Sequence, residues 1–183
     1  LWGFGPDKRP VKVPSQQQID RLLAATGSSN LEVRLDPPAL RKLKPELQVD
    51  LSAIAKGHGV DRVAAVLDRL GAEAYFIEIG GEIRTRGVRM DGSPWKVGIE
   101  QPVENKRDIQ RVIGLSDRAL ATSGNYRNFY ELDGKRFSHT INPTSGWPVE
   151  DAIVSASAIA DSCALADAIA TSMMSSGFAK GLD

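Results

Sequence analysis

Asp167 and Thr171 are the residues of this chain whose types and spacing best suit chemistry. A carboxylate and a hydroxyl at positions i and i+4 lie on one helical face, one turn apart. Around them run Cys163-Ala164-Leu165-Ala166, Ala168-Ile169-Ala170 and Ser172-Met173-Met174, mostly small or apolar, so the helix they predict is buried. It opens on the polar cap Asp161-Ser162. A buried carboxylate without a partner is costly, and a cation or a hydrogen-bond donor relieves it. The two oxygens can share a hard ion such as Mg2+. A dipole or capping partner for Asp167, with Thr171 bonding back to a carbonyl, accounts for the same residues. Taken alone, the helix favours this simpler account.

Other segments carry polar residues and glycines that a plain core does not need. In Asp50-Leu51-Ser52-Ala53-Ile54-Ala55-Lys56-Gly57, small residues at a helix start open the backbone N–H groups to an anion. Lys56 can reach a phosphate as a point charge. An N-cap Asp50 and a solvated Lys56 explain the segment equally. Glu78-Ile79-Gly80-Gly81-Glu82 is a turn, or a place where backbone meets a ligand, and it is not the dinucleotide fingerprint. Ala121-Thr122-Ser123-Gly124-Asn125-Tyr126 reads as a small polar loop before a strand. In Ser138-His139-Thr140-Ile141-Asn142-Pro143-Thr144-Ser145-Gly146, His139 is one of only 2 histidines and sits near a strand end. Lone histidines are more often structural, yet this one is suited to take a proton from a hydroxyl at neutral pH. His58, beside two glycines, is expected to face solvent.

These segments need elements to hold them. Residues 6–14 form a polar connector with three prolines. Ser15 caps a helix over 16–24 that stops at Gly27, and short strands over 31–35 and 41–43 flank Pro37-Pro38. A second helical region opens at Asp50, loosens at Gly57 and Gly59, resumes through Val60, Val63, Ala64, Leu67 and Leu70, and ends at Gly71. Strands follow over 74–79, 82–86, 95–99 and 112–115. Residues 126–132 and 135–141 flank Asp133-Gly134, a strong hairpin signal. A last strand over 154–160 feeds the Asp167 helix. Helices mixed with antiparallel hairpins define an α+β fold of mixed, largely antiparallel sheets packed with helices.

The 183 residues, 42% hydrophobic, suit a single domain with a real core. With 23 basic against 23 acidic residues and no basic runs, nucleic acid and anionic membrane are excluded as main partners. One cysteine permits no internal disulfide. No apolar run is long enough to span a membrane. Leu1-Trp2-Gly3-Phe4-Gly5-Pro6 begins without Met, like the tail of a strand already under way, and the chain is expected to be a fragment of a longer protein.

In order, "DLSAIAKGHGVD" (50–61), "IEIGGEIRTRG" (77–87), "ATSGNYRNFYELDGKRFSHTINPTSGWPV" (121–149) and "ADSCALADAIATSMMSSG" (160–177) resemble the ApbE family. These are the FAD:protein FMN transferases, formerly labelled thiamine-biosynthesis lipoproteins. The resemblance runs from Asp36 onward and implies that the family's N-terminal part, with part of its FAD site, and a C-terminal tail are missing. It implies binding of FAD with Mg2+, cleavage of the diphosphate, and transfer of FMN to a Thr or Ser of a target protein, such as a redox-pump subunit, with AMP leaving. The work of such an enzyme is mainly positioning and charge neutralisation.

Carried over by motif, the implied metal ligands are the Ala53 carbonyl, the Asp167 carboxylate and the Thr171 hydroxyl. Asp50 and Lys56 fall near the FAD, Ile141 beside the flavin, and His139 on the histidine that accepts the hydroxyl proton. Gly80, Gly81, Thr122, Ser123 and Gly124 line the pocket. The companion segments, Ala53 above all, turn Asp167 and Thr171 from a capping pair into expected ligands. The commoner family loop after the histidine is D-P-R-T-G, whereas this chain has Asn142-Pro143-Thr144-Ser145-Gly146 and so lacks two charges there. Alternatives are a metal-dependent FAD pyrophosphatase yielding FMN and AMP, and a non-catalytic FAD-binding protein. The resemblance also implies an exported lipoprotein, periplasmic or on the outer face of the cytoplasmic membrane, whose lipid anchor lies outside this fragment.

Overall fold

The structure, a computed structural model, describes residues 1–5, 13–103, 108–150 and 153–177. Most of the expected 6–14 connector therefore lies outside the described residues. In chain order the elements are α1 (Gln16–Leu23), β1 (Leu31–Arg34), β2 (Ala39–Lys42), α2 (Ser52–Arg69), β3 (Tyr75–Ile79), β4 (Glu82–Arg86) and β5 (Trp95–Glu100). They continue with β6 (Ile109–Leu115), β7 (Ala119–Gly124), β8 (Phe129–Leu132), β9 (Lys135–Ser138), β10 (Ser155–Ala160) and α3 (Cys163–Ser176). Every pairing between these strands is antiparallel, so the protein is α+β with antiparallel sheets.

The chain forms two compact units. The first joins Leu1–Asp50 to Asn128–Glu150. Ser15 caps α1 with a capping box, its hydroxyl accepting from the Gln18 amide while the Gln18 side chain accepts from the Ser15 N–H. Hairpins β1–β2 and β8–β9 follow, the latter turning through Asp133 and Gly134, both at positive φ as a tight primed turn requires. The core is aromatic: Trp2 stacks on Phe137 at 5.5 Å, Tyr130 on Phe137 at 5.4 Å and Phe4 on Tyr130 at 5.3 Å. Leu1–Gly5 forms no strand, contrary to expectation; Trp2 is instead held in this core and donates to the Gly146 carbonyl at 2.7 Å.

The second unit, Leu51–Arg127 with Asp151–Asp183, has three layers. Its central sheet runs β10-β7-β4-β3. Ala119, Tyr75 and Ile77 meet Val60, Ala64 and Cys163 on one face, and Ala121 and Ala160 meet Ala166 of α3 there as well. On the other face Ile83 and Leu120 pack against Val97 and Leu115 of the β5–β6 hairpin. Each fully buried aliphatic side chain in such layers contributes about 1.5–3 kcal/mol.

Two expectations fail here. The segment around residues 121–126 is not mainly a loop: Ala119–Gly124 is a central strand, paired with β10 and with β4. Its small residues let the helices lie close to the sheet. Nor does α2 loosen at Gly57 and Gly59, for it is one helix from Ser52 to Arg69, with Leu51 rather than Asp50 in the capping position. Gly57 serves packing instead. A Cβ there would lie 2.6 Å from the Cys163 carbonyl carbon and 2.8 Å from the Ala164 Cα, so the bare backbone is what lets α3 cross.

Candidate functional site

The crossing of α2 and α3 is built from reciprocal polar contacts. Asp61 of α2 accepts from the first amides of α3, Cys163 N–H and Ala164 N–H, each at 2.9 Å. These donors, with Arg84 at 2.5 Å, hold the Asp61 carboxyl below its ordinary value although burial pulls it upward. In the opposite direction Asp167 of α3, 3% exposed, accepts on Oδ2 from the Gly57 amide at 3.0 Å. In a regular helix that amide serves the carbonyl of Ala53, four residues back. By that helical spacing the Ala53 carbonyl and the Gly57 amide that holds Asp167 belong to the same turn of α2.

Thr171 stands one turn beyond Asp167, and its hydroxyl lies 3.1 Å from the Ser123 hydroxyl of β7. Alternation along β7 puts Ser123 on the helix side with Ala119 and Ala121, and Thr122 and Gly124 on the opposite side. Thr122 bonds Ser157 at 2.8 Å, and a Cβ on Gly124 would press within 2.6 Å of the Tyr126 ring. Of the Thr122-Ser123-Gly124 trio, then, only Ser123 joins the Asp167 group.

Strand β4 faces α2 with three charges at alternate positions. Glu82 pairs with Lys56 at 2.5 Å, Arg84 with Asp61, and Arg86 with Asp68. Glu82 is 1% exposed, and burial raises its carboxyl above the ordinary range against the pull of Lys56. The Gly80-Gly81 turn, with φ of 63° and 98°, lies against this pair. The structure thus gathers Ala53, Lys56, Gly80, Gly81, Ser123, Asp167 and Thr171 in the second unit. His58 is exposed, as expected. Glu82 and Asp61 were missed, although Glu82-x-Arg84-x-Arg86 at strand period was a visible sign of a charged face.

Asp50, His139 and Ile141 belong to the first unit. His139 is exposed, its backbone N–H donating to the Asn128 carbonyl at 3.0 Å and its Nδ1 lying 3.1 Å from the same oxygen. A carbonyl only accepts, so this contact is a hydrogen bond when Nδ1 carries the proton. Ile141 bridges to Pro148, and the loop between them closes on Asn142. The Asn142 side-chain oxygen accepts from the Thr144 and Ser145 amides at 2.8 and 3.1 Å, a turn an aspartate would form equally.

Among the described residues no group of three or more His, Cys, Asp or Glu side chains forms a metal cluster. What the α2–α3 crossing offers is a carbonyl, a carboxylate and a hydroxyl, an all-oxygen set whose chemistry fits a hard cation.

An α+β unit of three layers, with a buried carboxylate set against a helix amide, is the class that fold and site define. The chain belongs to the ApbE family, whose model matches residues 1–183. It is 47% identical over 182 residues to a FAD:protein FMN transferase of Vibrio cholerae serotype O1, covering 100% of this chain and 54% of that protein. Its identity to the FAD:protein FMN transferase of Escherichia coli strain K12 is 42%, over 95% of this chain and 50% of that protein. The solved flavin transferase ApbE from Vibrio cholerae superposes with a TM-score of 0.85 at 46% identity, covering 100% of this chain and 57% of that one. The chain spans about half the length of these relatives.

Proposed function

We propose that the full-length protein is a FAD:protein FMN transferase that uses Mg2+. A Ser or Thr hydroxyl of a target protein attacks the FMN phosphorus of FAD. The new bond is a phosphoester to the target, the bond to the bridging oxygen breaks, and AMP leaves with that oxygen. His139 takes the hydroxyl proton in this reading, with the Asn128 carbonyl holding its ring through Nδ1. Lys56 presents a point charge to the diphosphate, and Ser123 orients the Thr171 hydroxyl. Gly80 and Gly81 border the dinucleotide in this reading, and Asp50 and Ile141 are assigned to it by motif alone. The Ala53 carbonyl, Asp167 and Thr171 would hold the Mg2+, which supplies charge neutralisation at the diphosphate.

The observation that carries this reading is the buried Asp167, set against the Gly57 amide in a chain of this family. A covalent product separates transfer from the alternatives. Full-length protein incubated with FAD, Mg2+ and a target domain should leave fluorescent flavin on the target after denaturation. Bound FAD without covalent flavin overturns the proposal, and FMN with AMP in the absence of target would mark a pyrophosphatase. The same family likeness supports export to the periplasmic side as a lipid-anchored protein, to be checked by fractionation and fatty-acid labelling of the full-length chain.

A further inference from the structure

Glu82 is left without a task by the flavin-transfer reading, although it is among the most deeply buried charged groups described. Its Oε1 receives the Lys56 ammonium at 2.5 Å, while Oε2 is buried and makes no hydrogen bond among the described residues. A buried carboxylate with one oxygen unsatisfied is costly, and a purely structural pair has no reason to keep it. Asp61, another carboxylate that β4 engages, has both oxygens bonded.

The surroundings point to a ligand. The Lys56 side chain is 49% exposed and that of Glu82 1%, so the pair joins the buried interior to the surface. No side chain from the turn covers the pair: a Cβ on Gly80 would stand 3.4 Å from the Lys56 Cδ and 3.6 Å from the Glu82 Oε2. The residue after Lys56 is Gly57, whose amide holds Asp167. Lysine has a long flexible stem, and fixing it before a ligand arrives removes much of the ordering cost of binding. The lysine–glutamate pair of protein kinases fixes a phosphate-binding lysine in this way.

We propose that Glu82 is the positioning residue for Lys56, holding its ammonium at the Gly80-Gly81 turn as the charge that receives a diphosphate oxygen of FAD. The inference rests on the assignment of Lys56 to the dinucleotide made above, and it needs no metal.

The test is a double-mutant cycle on the full-length protein, read as FAD affinity in EDTA and as KM and kcat with Mg2+ present. Glu82→Gln is expected to weaken FAD binding and raise KM by about tenfold, with kcat much less affected. Lys56→Met should lose at least as much, and Glu82→Gln should add nothing in the Lys56→Met background. Glu82→Asp keeps the charge but withdraws it by one methylene, and should fall between wild type and Glu82→Gln. Equal effects of Glu82→Gln with and without Lys56 would reveal a structural role and overturn the proposal, as would unchanged FAD affinity in Lys56→Met. If Glu82→Gln does not fold, Glu82→Asp and Lys56→Met complete the cycle with the same criteria. A coupled cycle in a protein that binds FAD yet transfers no flavin supports the Glu82 role and sinks only the transferase reading.

Discussion

Asp61 and Asp167 cross the same helix pair in opposite directions, and they are employed differently. Asp61 gives both oxygens to protein donors: two amides at the start of α3 and the Arg84 guanidinium. Its negative charge meets the positive end of the α3 dipole, so its chemistry is consumed in joining α2, α3 and β4. Asp167 is more deeply buried, yet the described residues supply it with one hydrogen bond, from Gly57. A satisfied carboxylate is architecture. One buried with capacity to spare, beside a carbonyl and a hydroxyl, is equipped to bind.

The largest effect expected from this contrast is on catalysis. Asp167→Ala in the full-length protein should cost flavin transfer roughly 10²–10³-fold, the scale of losing one preorganised electrostatic group. FAD-dependent flavinylation of a target domain measures it, with Mg2+ affinity read in parallel. Asp61→Ala should leave transfer within a few fold wherever the variant remains folded. An Asp167→Ala protein with the wild-type rate, or an Asp61→Ala protein that is folded but inactive, breaks the comparison.

Gly57→Ala tests whether the crossing itself holds the site. The added methyl meets the backbone of Cys163 and Ala164, which cannot rotate away as a flexible side chain would. Separating the helices should destabilise the protein by about 1–3 kcal/mol, the range typical of overpacking. Because the same residue's amide holds Asp167, Mg2+ affinity should fall with stability. Thermal unfolding and metal titration read the two separately, and a loss of stability with intact metal affinity would detach Asp167 from the crossing.

Asp61→Asn should act on stability and on its pH dependence. The folded-state carboxyl of Asp61 lies below its ordinary value, so the unfolded chain binds a proton first as pH falls. The stability it contributes is therefore present above the ordinary aspartate range and is lost as pH drops through the depressed folded value. The substituted amide cannot titrate, so the variant should be less stable near neutrality and lose less on acidification. Urea unfolding between neutral and acidic pH checks this. The loss at neutral pH should be about 1–3 kcal/mol, as for a charged hydrogen-bonding group removed from buried amides.

How much of this was legible in the sequence depended on distance along the chain. The N-cap at Ser15, the Asp133-Gly134 turn and the Asp167–Thr171 spacing are local patterns, and each is found as read. The strand nature of Ala119–Gly124 is not local. Its Ala, Thr, Ser and Gly residues have the composition of a loop and become a strand because β10 and β4 pair with them from either side. Gly57 reads as a helix breaker until α3 is seen to cross it. Asp61 carries no local sign of its role, because that role depends on amides 102 and 103 residues away. Glu82 was hidden for the same reason, since its partner lies 26 residues back on another element.

The finest discrimination concerns Ser123. Its hydroxyl meets Thr171 at 3.1 Å, whereas its neighbour Thr122 meets Ser157 at 2.8 Å on the opposite face of β7. If the helix side of the sheet carries the site, the two hydroxyls differ in consequence although they are adjacent and similarly bonded. Ser123→Ala removes the group that orients the Thr171 hydroxyl. It should weaken Mg2+ binding by up to about tenfold, the lower end for a residue supporting a metal ligand. Thr122→Val removes a hydroxyl of the same kind at nearly constant volume and should leave Mg2+ binding and transfer unchanged. Both substitutions cost a hydrogen bond, about 1 kcal/mol in stability, so unfolding should shift alike in the two. Equal losses of metal affinity would mean that hydroxyls act through strand stability alone, and that Thr171 needs no orienting partner.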